Sequence, residues 1–186
     1  QKMRELKMTF SLLGPFSYSY YRKYGWEWGM NRMNYDISIM DFNHFREKDL
    51  TTRLVTTEYI EALKHVYTST FNQLNGPLHR TTSHWKAQLS KNKEKNIHTY
   101  GVIDKTNTLV GYIFYELKDR TLKVIEMAYL SLEAKEHMCY FIYVHRAQVD
   151  RVKLSLAESD LFISMLTNQH QKMTLDPGMM VRIVDV

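Results

Sequence analysis

The chain has 186 residues, 44% of them apolar, which is enough for one domain or one domain and part of a neighbour. Its 25 Lys and Arg against 20 Asp and Glu give +5, a charge that suits an acidic small molecule as well as nucleic acid and does not choose between them. The single cysteine, Cys139, excludes an internal disulfide and any paired-cysteine metal site; with neither a signal peptide nor a run of roughly 20 apolar residues, the expectation is a cytoplasmic protein.

In chain order, the opening from Gln1 is polar and helix-like, and KMTFSLL (7–13) reads as a short strand. The loop at Gly14 and Pro15 feeds a short aromatic helix that Gly25 can stop. WEWGMNRMNYDISIM (26–40) is strand-like, with Trp26 and Trp28 expected on one face and packed in a core. The polar DFNHFREKDLTTR (41–53) is expected to be a domain boundary. Beyond it, Ile60, Leu63, Tyr67, Phe71 and Leu74 recur at helical spacing before Gly76 and Pro77, and TTSHWKAQLSKNKEK (81–95) suggests a second helix. IHTYGVID, TLVGYIFYEL and TLKVIEMAYLS then read as an antiparallel meander turning at Lys105–Asn107 and Lys118–Arg120. A helix with Ala134, Met138, Phe141, Ile142 and His145 on one face follows. After it come a strand VDRVKLSL, a helix near ESDLFISMLTN and a final strand MMVRIVDV. The missing initiator Met and a closing strand that ends on Val186 without a polar tail read as a fragment of a longer protein.

Few residues point to chemistry by themselves. Glu126 alternates with Leu122, Val124, Ala128 and Leu130, which puts an acid on an apolar strand face; the favoured role is structural, paired with an Arg or Lys, over a relic of a substrate site. Eight histidines form no His-Glu-x-x-His, and His79 and His84 fall in a loop and a helix start, so no metal site is expected. His145 and Arg146 place positive charge at a helix end, and KNKEKN (91–96) reads as a solvated helix end. Nucleic-acid binding lacks a recognisable motif and a concentrated basic patch.

PFSYSYYRKYGWE resembles the Tyr-Arg-x-x-Gly-aromatic segment late in GNAT acetyltransferase domains, particularly those of the enhanced-intracellular-survival (Eis-like) family. NGPLHRTTSHW, VGYIFYEL, EMAYLSLEA, FIYVHRAQVDRV and MMVRIVDV are similar to successive landmarks of those proteins, so the likeness covers essentially the whole chain. The resemblance implies an α+β fold, a GNAT-like (acyl-CoA N-acyltransferase) mixed and mainly antiparallel sheet flanked by helices. It implies that residues 1–45 close a first, catalytic GNAT domain and that residues 46–178 form a second GNAT-like domain. Residues 179–186 would begin a strand leading to a sterol-carrier-like domain.

By the same resemblance the parent takes acetyl-CoA and an amine substrate, aminoglycoside-like or a protein or metabolite amine, in a form compatible with a homo-oligomer, and Tyr21 is the general acid that protonates the departing thiolate. The competing role for Tyr21 is an amphipathic aromatic with a buried ring and a wet hydroxyl. Tyr18, Tyr20 and Tyr24 fall on other helical angles and are expected to be packing or pocket walls. Two departures bear on activity. The Gly-rich turn that would hold the coenzyme pyrophosphate at a helix N-terminus is absent, since Gly101, Gly111 and Gly178 are isolated. The terminal carboxylate that serves as base in the family's best-known members would here belong to a truncated strand. The expectation is therefore an N-acetyltransferase whose fragment is inactive alone, the alternative being a non-catalytic GNAT-like scaffold or interaction module.

Overall fold

The computed structural model describes residues 2–72, 74 and 76–184. Along the chain lie α1 (Lys2–Glu5), β1 (Phe10–Leu13), α2 (Tyr18–Arg22), β2 (Glu27–Trp28), β3 (Asn31–Ser38) and β4 (Thr51–Leu54). Then come α3 (Ile60–Phe71), α4 (Thr82–Glu94), β5 (His98–Ile103), β6 (Leu109–Lys118), β7 (Thr121–Tyr129), α5 (Leu132–Val144), β8 (Arg151–Ala157), β9 (Lys172–Pro177) and β10 (Met180–Ile183). Two units divide these elements. The first holds residues 2–34, 156–160 and 174–184, the second 35–155 and 161–173, with residues 73 and 75 undescribed. The ends at Gln1 and Val186, on which the fragment reading leaned, lie outside the described residues.

In the first unit, β10 is the middle strand of a three-stranded antiparallel sheet, with β1 on one side, from Phe10↔Ile183 to Leu13↔Met180, and β2 on the other. Ser17 caps α2, its hydroxyl accepting the Tyr20 N–H at 3.4 Å, and Gly25 follows the helix at φ +80°, a conformation that glycine adopts without a Cβ penalty. Trp26 and Trp28 do not form the expected core pair. Trp28 is 47% exposed because β2 is only two residues long and its indole N–H is drawn to the Met30 carbonyl at 2.8 Å.

The second unit is a sheet between two helical layers. β4, β5, β6 and β7 pair antiparallel as a meander, and β8 adds to β7 in parallel. The β6–β7 turn is two residues, Asp119 and Arg120, both at positive φ, which is the primed hairpin geometry. Gly111, Ile113 and Tyr115 of β6 face α5, while Tyr112 and Phe114 face α3 and α4 and join Leu63, Val66, Trp85 and Leu89 in the main core. Of the stripes expected for α3 and α5, Leu63, Met138 and Ile142 are fully enclosed, and α4 buries Trp85. Leu74 lies beyond the end of α3.

Three local readings are corrected. Thr51–Leu54, within the expected boundary, is a strand: β-branched threonines suit the ladder, and as the outer partner of β5 it has no second row of neighbours to bury it. The helix expected near residue 160 is a single 3₁₀ turn, Phe162–Met165, where the Ser164 hydroxyl bonds back to the Leu161 carbonyl at 2.7 Å and Leu166 is already extended. The KNKEKN run is not wholly solvated, since Asn92 is fully buried with its Oδ1 accepting from Gln88. Strand β9 had no counterpart in the expected order.

Candidate functional site

Tyr21 sits on α2, which the Ser17 cap starts and Gly25 follows. Its ring is half-buried, meeting Phe16 and Tyr20 edge-on with centroids 5.2 Å away in each case. Its hydroxyl makes no hydrogen bond to a described residue, which leaves the phenolic proton available to a substrate atom. Tyr20 and Tyr24 extend the same aromatic surface at 5.4 Å, both more than two-fifths exposed. Tyr18 points elsewhere and donates its O–H to the Pro177 carbonyl at 2.5 Å. Arg22 binds Glu27 at 3.0 Å, a surface pair that steadies the end of the helix.

Glu126 carries the densest polar network of the second unit. Arg80 approaches it with both guanidinium arms, Nη1 to Oε1 at 2.8 Å and Nη2 to Oε2 at 2.5 Å, and the Tyr112 hydroxyl donates to Oε1 at 2.7 Å. The guanidinium lies 4.3 Å from the Tyr67 ring centroid and 5.0 Å from that of Trp85, so aromatic faces add to the charge pairing. Burial, and then the adjacent carboxylate, push the Tyr112 phenol well above its usual pKa. The expected structural pairing of Glu126 is thus present, but on the opposite face of the sheet from Leu122 and Val124. The β6–β7 register steps from Phe114↔Glu126 to Tyr115↔Val124, so Ile125 is the extra residue of a bulge that turns Glu126 towards α3 and α4. No signal in the sequence singled out Arg80.

Three histidines hold structure. His84 completes a capping box at the start of α4. His145 donates from Nδ1 to the Phe141 carbonyl at 3.0 Å and accepts at Nε2 from the Tyr115 hydroxyl at 3.0 Å. His137 is buried, with Nδ1 accepting the Lys48 N–H at 3.3 Å and Nε2 donating to Thr52 at 3.1 Å. Among the described residues no cluster of His, Cys, Asp and Glu could hold a metal ion, Cys139 is buried, and no helix is long and apolar enough to cross a membrane.

A parallel pair of strands can open a ligand cleft at its carboxyl end. β7 and β8 are registered only over Thr121–Lys123, leaving the last two-thirds of β7 beyond that pairing. At its carboxyl end three donors of the turn into α5 are engaged. Tyr129 N–H meets Thr70 Oγ1 at 3.1 Å, Leu130 N–H the Val110 carbonyl at 2.9 Å, and Ala134 N–H the Ser131 hydroxyl at 3.1 Å. Glu133 adds a negative charge to the first helical turn. The ammonium of buried Lys135 lies 5.1 Å from the Tyr129 ring centroid and 5.5 Å from that of Phe162.

This α–β–α arrangement has known counterparts. The acetyltransferase (GNAT) domain family model matches residues 76–183, more than half of the chain, and the chain belongs to that family. Among solved structures it is similar to a conserved protein of unknown function and probable N-acyltransferase from Enterococcus faecalis V583. The TM-score is 0.87 at 25% identity, over 98% of this chain and 47% of that one. A GCN5-related N-acetyltransferase from Anabaena variabilis matches with a TM-score of 0.81 at 23% identity, covering 100% of this chain and 48% of that one. Eis1 from Mycobacterium abscessus matches at 0.72 and 15% identity, covering 99% and 49%. The last two likenesses show the fold alone. The chain spans about half the length of these solved relatives. No curated protein matches it.

GNAT domains use acetyl-CoA as cosubstrate. Its pyrophosphate needs unengaged N–H groups and no competing acid at a helix N-terminus. The residues leading into α5 do not fit that group: the run from Tyr129 to Lys135 holds no glycine, the Ala134 N–H is taken by the Ser131 hydroxyl, and Glu133 opposes an anion.

Proposed function

We propose that the chain is part of an Eis-like, acetyl-CoA-dependent N-acetyltransferase of the bacterial cytoplasm that acetylates an amine. Residues 1–45 complete its catalytic GNAT domain, residues 46–178 are a GNAT-like domain without a coenzyme site, and residues 179–186 lead towards a further domain. The observation that carries this reading is the turn into α5, which keeps the GNAT strand–helix order but has no glycine and carries Glu133 in the first helical turn. Solved relatives of about twice the length support a partner half in which the coenzyme binds. The chain alone would then be inactive.

Tyr21 is the proposed general acid. Its hydroxyl is not tied to a described neighbour, and protonation of a departing thiolate is the step a free phenol can accelerate, typically by ~10²- to 10⁴-fold. The same turn into α5 also favours a second reading, in which the whole protein is a non-catalytic scaffold. One experiment separates the two: acetyl transfer to amines by the full-length protein and by its Tyr21→Phe variant. The enzyme reading expects turnover that falls about 10²-fold in the variant, with coenzyme affinity and melting temperature unchanged. Wild-type turnover in the variant removes Tyr21 from the chemistry, and the absence of turnover in the full-length protein supports the scaffold.

A further inference from the structure

The turn between β2 and β3 forms a groove of about 380 Å³ within the first unit, lined by Trp28, Gly29, Met30, Asn31 and Glu158. Two of these residues are held by hydrogen bonds that leave their other surfaces facing solvent. The Trp28 indole N–H donates to the Met30 carbonyl at 2.8 Å, which fixes the ring and leaves its π faces. The Asn31 amide donates to Oε2 of Glu158 at 2.5 Å, which fixes the carboxylate and leaves Oε1.

The backbone beneath is also pinned. Gly29 N–H meets the Met179 carbonyl at 3.1 Å and Gly178 N–H meets that of Met30 at 2.8 Å. A Cβ on Gly29 would lie 2.6 Å from Cγ1 of Val181, so only glycine allows this approach. The groove is therefore largely preformed, and a ligand entering it has little ordering to impose.

An immobilised indole face beside an immobilised carboxylate selects for charge and shape. The ring quadrupole attracts a cation, and the carboxylate accepts its N–H donors in charge-assisted hydrogen bonds. A neutral ligand gains little from Glu158, and an anion is repelled by it. No Lys or Arg is among the lining residues to neutralise the site.

We propose that this groove binds the alkylammonium end of an organic amine, with the ammonium between the Trp28 ring and Glu158. The site is independent of whether the parent transfers acetyl groups. Because Trp28 is 47% exposed, binding is weak, with a Kd of about 1–10 mM.

The test follows the Trp28 indole N–H signal of the ¹⁵N-labelled chain, assigned by its loss in Trp28→Phe, during titration with n-butylammonium chloride. Sodium chloride at equal ionic strength and n-butanol are the controls. The expected result is a saturable shift with the amine only, weakened at least fivefold in Glu158→Gln, which keeps an acceptor for Asn31 and removes the charge. A shift that does not saturate, an equal response to n-butanol, or unchanged affinity in Glu158→Gln would each overturn the proposal.

Discussion

Arg80 and Glu126 are 46 residues apart in the chain and meet through two near-parallel hydrogen bonds, each group only about one-fifth exposed. The pair fixes the loop before α4 to the far side of β7. Removing the cation strands a carboxylate that is mostly shielded from water. Arg80→Met should therefore cost about 3 kcal/mol, the lower end for a broken buried pair because some exposure remains. Tyr112→Phe, which deletes one donor to the same carboxylate, should cost about 1.5 kcal/mol. Urea unfolding measures both, and an unchanged midpoint for Arg80→Met would show that the pair contributes nothing to the fold.

Packing around Gly101 predicts a second effect of similar size. A Cβ there would overlap Cδ1 of Leu109 and stand 3.0 Å from Cγ2 of Val55, both buried side chains of the main core. Gly101→Ala should destabilise by about 1–3 kcal/mol despite the usual entropic benefit of alanine in a strand. A more stable variant would mean that Leu109 can turn aside freely.

Acid should weaken the fold through His137 and His145. Burial holds both below the ordinary value of 6.5; nearby Glu47 and Glu133 raise His137, and the Phe141 and Ile142 backbone raises His145, without reversing the direction. As the pH falls through 6.5 the unfolded chain takes up these protons first, so stability is complete above that value, declines towards the depressed folded values and levels off below them. Protonated Nδ1 of His137 can no longer accept from Lys48. The melting temperature should drop between about pH 7.5 and pH 5.5, and a His137→Gln, His145→Gln double variant should show a smaller drop. An equal drop in the variant would assign the effect to other groups.

Coenzyme binding separates the chain from its proposed parent. Calorimetric titration of the 186-residue chain with acetyl-CoA should show no saturable heat, since the Tyr129, Leu130 and Ala134 donors leading into α5 are engaged, the turn has no glycine and Glu133 opposes the phosphates. Saturable micromolar binding would show that those donors can be released.

The helices and the meander were legible because each is governed by a local rule. Helical spacing from Ile60 to Phe71 and across Ala134, Met138 and Ile142 reports a buried stripe, and the short polar turns report the hairpins. What escaped depends on partners distant in sequence. Thr51–Leu54 has no alternation of its own and is a strand because β5 offers it a ladder. Trp28 looks like a core residue until the two-residue length of β2 is known. Arg80 acquires a role only when the loop brings it to Glu126. For Tyr21, sequence and structure agree on its short helix, which does not distinguish an acid from a packing residue.

The bulge at Ile125 decides which residues of β7 share a face. On one side of it Leu122 and Val124 point towards α5; on the other Glu126 and Ala128 point towards α3 and α4. Pairing without the bulge at unchanged length would carry Glu126 into the layer of Met138 and Ile142, away from its cation, and take Ala128 out of the main core, whereas a strand shorter by Ile125 would keep both in place. Position 125 itself is 40% exposed, so its side chain can be exchanged widely. The strand thus depends on that residue standing outside the ladder and not on which side chain it carries.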